Sequence, residues 1–177
     1  MKRTPIFHWI SGFIATLALA LLAAHAGDAS AADLAAAKPK DDVIRVVYHA
    51  DFADPRRFSA MLTSINNMVM HYNNEFTDCD VRIVFLSHGI RFVTDDPLRN
   101  TPFAEDKALK AQRDNLRGRL MTLATLHNVK LELCDITRTQ LGLDKGRLYA
   151  PVTFVPSGVV RIAQLQNEEG FAYIKVE

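Results

Sequence analysis

The chain lacks several signatures of well-known chemistry. The first strand-like run is followed by Ala50-Asp51-Phe52-Ala53, with no glycine-rich loop to cradle a phosphate, which removes support for nucleotide binding. There is no Gly-x-Ser-x-Gly nucleophile elbow and no Cys-x-x-Cys redox pair. Charge of one sign is also missing. The 21 basic and 20 acidic residues leave a formal net charge of +1 with the signs interspersed. A nucleic-acid partner would need a basic footprint, so none is expected. Cysteine is limited to two positions, Cys79 and Cys134.

What is present begins with an export signal. Lys2 and Arg3 precede an apolar stretch over residues 10–24, and Ala29-Ser30-Ala31 supplies a small-x-small cleavage pattern. The run is short for a membrane anchor, and no cysteine follows it closely enough to carry a lipid. Residues 1–31 are therefore expected to be a cleaved signal peptide, leaving a periplasmic protein with no membrane association. Removing Lys2, Arg3 and Asp28 leaves 19 residues of each sign. Residues 32–42 read as a flexible leader, and residues 43–177 as one domain.

Within that domain strand and helix patterns alternate. Residues 43–49 form a buried-type strand. Asp54-Pro55 is an N-cap with proline at the first helical position, and Phe58, Met61, Leu62, Ile65, Met68, Val69 and Tyr72 follow at helical spacing. A second strand covers residues 80–87, ends on His88-Gly89, and gives way to a polar loop. Leu109, Leu116, Leu120, Leu123 and Ala124 mark a second helix, ending near Asn128. Val129, Leu131 and Leu133 alternate with Lys130 and Glu132 in a third strand that ends on Cys134. A turn or two of helix is expected over residues 137–143, a fourth strand over 151–156, a helix over 158–169 capped by Gly170, and a last strand over 171–176. The pattern predicts an α/β fold with a mostly parallel five-stranded sheet.

In such a sheet ligands and chemistry gather at the carboxyl ends of the strands. Cys134 lies there, beside a helix start that favours a thiolate, with Asp135 opposing it by like charge. Its other reading is a core cysteine filling a small space. Cys79 lies at the amino end of the second strand, and about six residues of strand span roughly 20 Å. Bridged Cα atoms sit about 4.4–6.8 Å apart, so the two thiols are expected to be free. Asp78 and Asp80 should raise the Cys79 pKa and leave it an incidental surface thiol. His88 closes the second strand on the same edge as Cys134, as a possible acid/base partner or merely a loop histidine. His49 at the end of the first strand has similar standing. A Cys/His metal site is the rival chemistry, without supporting ligand spacing, and no cofactor is implied. Met68, Met70 and His71 read as packing.

Several of these stretches, in their order, resemble the DsrE/DsrF-like family of small α/β sulfur-relay proteins. They are Val46-Val47-Tyr48-His49, Leu86-Ser87-His88-Gly89, Val129 through Cys134, Val155-Pro156-Ser157-Gly158-Val159 and Gly170-Phe171-Ala172-Tyr173-Ile174-Lys175. The likeness spans residues 43–177. It implies a three-layer α/β/α sandwich that assembles into homo-oligomers, often trimers or hexamers. It also implies a cysteine, here Cys134, that accepts sulfur as a persulfide and passes it on. Partners would be a sulfur donor or acceptor protein, or a small sulfur compound. The export signal and the Val155–Val159 segment are closer to an uncharacterised branch of that family.

Overall fold

The computed structural model describes residues 42–177. The expected signal peptide, and the leader as far as residue 41, lie outside the described residues. The elements in order are β1 (Ile44–Ala50), α1 (Pro55–Asn74), β2 (Cys79–Phe85), a 3-10 turn (Ser87–Phe92), α2 (Lys107–Leu126), β3 (Lys130–Cys134) and α3 (Asp135–Gln140). A second 3-10 turn (Lys145–Arg147), β4 (Val152–Val155), α4 (Gly158–Asn167) and β5 (Ala172–Ile174) complete the chain. The five strands form one sheet in the order β4-β3-β2-β1-β5, and every pairing is parallel.

That order explains the layers. From β1 to β4 the chain steps one strand at a time in a single direction. Right-handed crossovers then place successive connections on one face. Only the return from β4 to β5 crosses the other face, and α4 makes it. The first face carries the larger core, where Phe58, Met61, Leu62 and Ile65 of α1 and Leu109, Leu120 and Leu123 of α2 meet Val46, Ile83, Phe85, Leu131 and Leu133. Phe58 stacks on Phe92 at 4.1 Å between ring centroids. The second core is small: Val47 and Val84 from the sheet, Ile162 and Leu165 from α4, and Phe171, with Leu86 at its border.

The local signals act as their chemistry dictates. Asp54 accepts from the Arg56 amide at 2.8 Å with Pro55 behind it, and Ser157 caps α4. Gly170 adopts φ +73°, the left-handed region that glycine enters without strain. Strand ends differ from the sequence reading by a residue or two. The loop expected after His88 instead begins with the 3-10 turn, because Gly89 packs directly on β1. A Cβ there would lie 1.9 Å from the Ala50 carbonyl oxygen. The short helix after Cys134 starts at once, at Asp135. Cys79 opens β2 rather than preceding it, and it packs half-buried against the larger core. Of the methionine–histidine group on α1, only Met68 packs, accepting from Tyr48 Oη at 3.8 Å. Met70 is 42% exposed and His71 faces the exposed Glu75.

One alternation hides more than the sequence shows. Glu132 points to the second face, as its period-2 position demands, yet it is only 5% exposed. Arg82 of β2 donates to its Oε1 at 2.7 Å, and Arg161 of α4 donates to its Oε2 at 2.9 Å. Arg82 also engages Asp80, and Arg161 engages Glu169. A buried carboxylate held between two guanidiniums has its charge matched and its lone pairs filled. This cluster ties α4 to the middle of the sheet, one inward-facing position before Cys134.

Candidate functional site

Cys134 is the last residue of β3 and the residue that precedes α3. Its side chain points to the second face, where α4 begins. Two helix starts therefore converge on it, and their first backbone N–H groups have no partner inside their own helices. Gly158, the first residue of α4, makes the approach possible. A Cβ there would fall 3.2 Å from Cys134 Cβ and 3.0 Å from Leu86 Cδ2. Any side chain at that position would push the helix start away from the sulfur.

Electrostatics follow from this packing. Burial pushes the Cys134 thiol up, since a charge is costly away from water. Opposing it are hydrogen bonds from the Gly158 amide, from the amide and hydroxyl of Thr137, and from the Ile136 amide. Together they outweigh burial and hold the thiol below its ordinary range. The expected repulsion from Asp135 is absent from this balance. Its carboxylate is paired with Arg138, Nε to Oδ1 at 2.6 Å. Cys134 itself is 6% exposed. Close by in the chain, Ile136 of α3 is 48% exposed, and Val159 and Val160, which follow Gly158, are 65% and 54% exposed.

The other sequence candidates stand apart. His88 lies on the 3-10 turn, half-buried, with its ring edge-on to Phe103 at 4.8 Å and Nδ1 3.4 Å from Ser87 Oγ. His49 pairs through Nδ1 with Tyr173 Oη at 3.0 Å, on the β1–β5 side of the sheet. Its Nε2 is buried without a hydrogen-bond partner, 3.8 Å from Asp51. Burial, the largest influence, lowers the His49 pKa, and Lys175 and Arg57 act in the same direction against Asp51. The carboxyl edge thus carries all three residues, but these contacts lead away from Cys134, not toward a shared pocket. Among the described residues no group of three or more His, Cys, Asp or Glu is arranged to hold a metal ion.

Cys79 and Cys134 are both free thiols, as their opposite sheet edges require. Burial raises the Cys79 pKa first, and Asp78 and Asp80 add to it. A groove of about 520 Å³ runs between α4 and β4, lined by Glu132, Thr153, Val155, Val160, Arg161 and Gln164 among others. Cys134 is not among its walls.

Two contributors were not legible in the sequence. Thr137 looks like an ordinary helical threonine, and Gly158 like a helix-starting glycine 24 residues from the cysteine. Glycine directly after a capping serine was the one available hint of a close approach.

Two solved structures are similar to this chain. A protein of unknown function, MTH1491, from Methanobacterium thermoautotrophicum superposes with a TM-score of 0.56 at 25% identity, covering 75% of this chain and 98% of its own. The ychN protein from E. coli gives a TM-score of 0.47 at 19% identity, with 75% and 98% covered. No curated protein matches. The model of the DsrE/DsrF-like family matches residues 17–176, nearly the whole sequence, and the chain belongs to that family.

Proposed function

We propose that this protein is a sulfur carrier that holds a persulfide on Cys134. The observation that carries the reading is the seat of Cys134 between the starts of α3 and α4, with Gly158 packed against it so closely that a Cβ there would fall 3.2 Å from Cys134 Cβ. The amides of those helix starts hold the thiol below its ordinary range. A thiol that merely fills space needs no donors. A thiolate or a persulfide anion needs several, and here the backbone amides of the helix starts supply them. The step is a simple exchange. The Cys134 thiolate attacks the outer sulfur of a donor R–S–SH, the new S–S bond forms, and the donor's S–S bond breaks. The donor then leaves as its thiol, taking a proton from solvent. One sulfane sulfur has moved, and no external oxidant or reductant takes part. His88 stands on the same edge, but its ring packs on Phe103, so the proton is exchanged with solvent.

The rival is a non-catalytic small-ligand binder with Cys134 as core. Its support is the 6% exposure of the cysteine and the separate groove between α4 and β4. The two readings part on mass. After exposure to polysulfide, the carrier gains about 32 Da, one sulfur atom, in intact-mass spectrometry. Cys134→Ser abolishes the gain and Cys79→Ser keeps it. No gain in the wild type, with Cys134 resisting alkylation in the folded chain, gives the rival the lead.

Export and assembly belong to the same proposal. Residues 1–31 have the plan of a secretory signal, and among the described residues no helix is long and apolar enough to cross a membrane. Sulfur transfer would then take place in the periplasm, with recovery of a chain beginning at Ala32 as the check. A second copy is expected on the α4 face. Five strands spaced about 4.8 Å apart are wider than one helix of about 10–12 Å, and parallel sheets are normally covered on both sides. Val159, Val160 and Tyr173 are exposed there. Light scattering that finds a monomer at micromolar concentration would remove the oligomer.

A further inference from the structure

β5 is the shortest strand of the sheet and stands at its edge. It has three residues, with Ala172 against Val46, Tyr173 against Val47 and Ile174 against Tyr48. So few ladder bonds open easily, and side chains must add to the hold. Here those side chains are polar. Tyr173 Oη meets Nδ1 of His49 at 3.0 Å. Arg57 of α1 donates to the Val176 carbonyl and pairs with Glu177 at 3.4 Å, and Lys175 pairs with the same carboxylate at 2.8 Å. The hydrogen-bond inventory selects one state of the His49 ring. A neutral imidazole carries a single N–H. Nε2 is buried without a hydrogen-bond partner and lies 3.8 Å from the Asp51 carboxylate, which only accepts, while Nδ1 faces a hydroxyl that can donate. The proton therefore belongs on Nε2, and Tyr173 donates to Nδ1. Charges at the seam then balance, Arg57 and Lys175 against Asp51 and Glu177. A proton on Nδ1 takes the acceptor away from Tyr173 and adds a third cation. Burial already resists that charge, and Lys175 and Arg57 add to it against Asp51.

We propose that the seam between β1 and β5 is a pH-sensitive latch, closed while the His49 ring is neutral and loosened over residues 172–177 when acid protonates it. The latch involves no atom of Cys134 and stands whether or not the protein carries sulfur. Its sign follows from linkage. The closed seam binds the proton less well than an open one. The hold is therefore full above the ordinary histidine value of 6.5 and is lost as pH falls through the lower value of the closed state. Phe171, directly before β5, is 4% exposed and belongs to the small core under α4, so a loosened β5 also weakens that core.

The test is amide hydrogen exchange of the C-terminal peptide in the whole protein, for wild type, His49→Gln and Lys175→Gln. Exchange is followed from about pH 7.5 to about 5.5, above the range in which carboxylates ordinarily titrate, and corrected for its intrinsic pH dependence. In the wild type, protection of residues 172–177 is expected to fall several-fold across that range while protection of β2 stays constant. His49→Gln, which takes up no proton, is expected to show no fall. Lys175→Gln removes one cation from the seam and is expected to show a smaller fall than wild type. Wild-type protection that does not change with pH overturns the latch. So does a His49→Gln tail that loosens as much as wild type. Should His49→Gln not fold, judged by thermal melting, the exposed Lys175→Gln decides, and a fall equal to that of wild type overturns the latch.

Discussion

The two cysteines of this protein are the same residue in opposite surroundings. Cys134 sits at the carboxyl edge of the sheet, where helices begin and their amides point inward. Cys79 sits at the amino edge, between two aspartates. Both thiols are removed from water in part, and burial alone would raise both. Two things separate them: backbone donors hold Cys134 below the ordinary thiol value, while Asp78 and Asp80 add to burial and keep Cys79 above it. Parallel topology thus makes the two edges electrostatically unlike before any special residue is added.

The most damaging way to break this contrast is to unmoor α4. Glu132→Ala removes the carboxylate that joins Arg82 and Arg161 and leaves two guanidiniums facing each other. Removing one partner from a buried ion cluster costs about 3–5 kcal/mol. The lower end applies here, because each arginine keeps 19% exposure. Urea unfolding should show that loss, and Cys134 should alkylate more slowly at neutral pH as the Gly158 amide drifts from it. A variant of unchanged stability would mean that the cluster does not hold α4.

A narrower break is Gly158→Ala. The added methyl meets Leu86 and Cys134 at 3.0 and 3.2 Å, and overpacking of this kind costs about 1–3 kcal/mol. The helix start must back away, taking with it the Gly158 amide, the first of the donors on the sulfur. Alkylation of Cys134 should slow several-fold at neutral pH while that of Cys79 stays the same. Equal slowing at both cysteines would point to a general loss of fold and not to a lost donor.

How much of this could be read in advance depends on the distance over which each feature is decided. Asp54-Pro55, the spacing of Phe58 to Val69, and Gly170 act within a turn or two, and each was legible. So was the placement of Cys134, since a period-2 run that ends on a residue also fixes the strand end. What converges on the cysteine was not legible. Thr137 is held by the Ser87 amide, fifty residues earlier, and Gly158 arrives by the crossover from β4. Glu132 looked like the solvent side of an alternating strand, and only the path of α4 makes that side interior. His88 was placed on the correct edge, but the backbone turn at Ser87 sends its ring to Phe103.

The gentlest test uses stability, and its sign separates the two cysteines without any reagent. The folded pKa of Cys134 lies below its unfolded value, so folding favours its thiolate. That contribution is fully present above the unfolded pKa and is lost as pH falls through the folded one. The folded pKa of Cys79 lies above its unfolded value. Its contribution is fully present below the unfolded pKa and is lost as pH rises through the folded one. Between the two folded values the wild type therefore gains from one thiol as pH rises and loses from the other. Cys134→Ser removes the gain, so its stability relative to wild type should worsen as pH rises toward the unfolded thiol pKa and then level off. Cys79→Ser removes the loss, so its relative stability should improve once pH rises above the unfolded thiol pKa. Urea unfolding under reducing conditions at three pH values is enough to see opposite slopes. If the two slopes share a sign, the donors around Cys134 do not outweigh its burial, and the cysteine reverts to a packing residue.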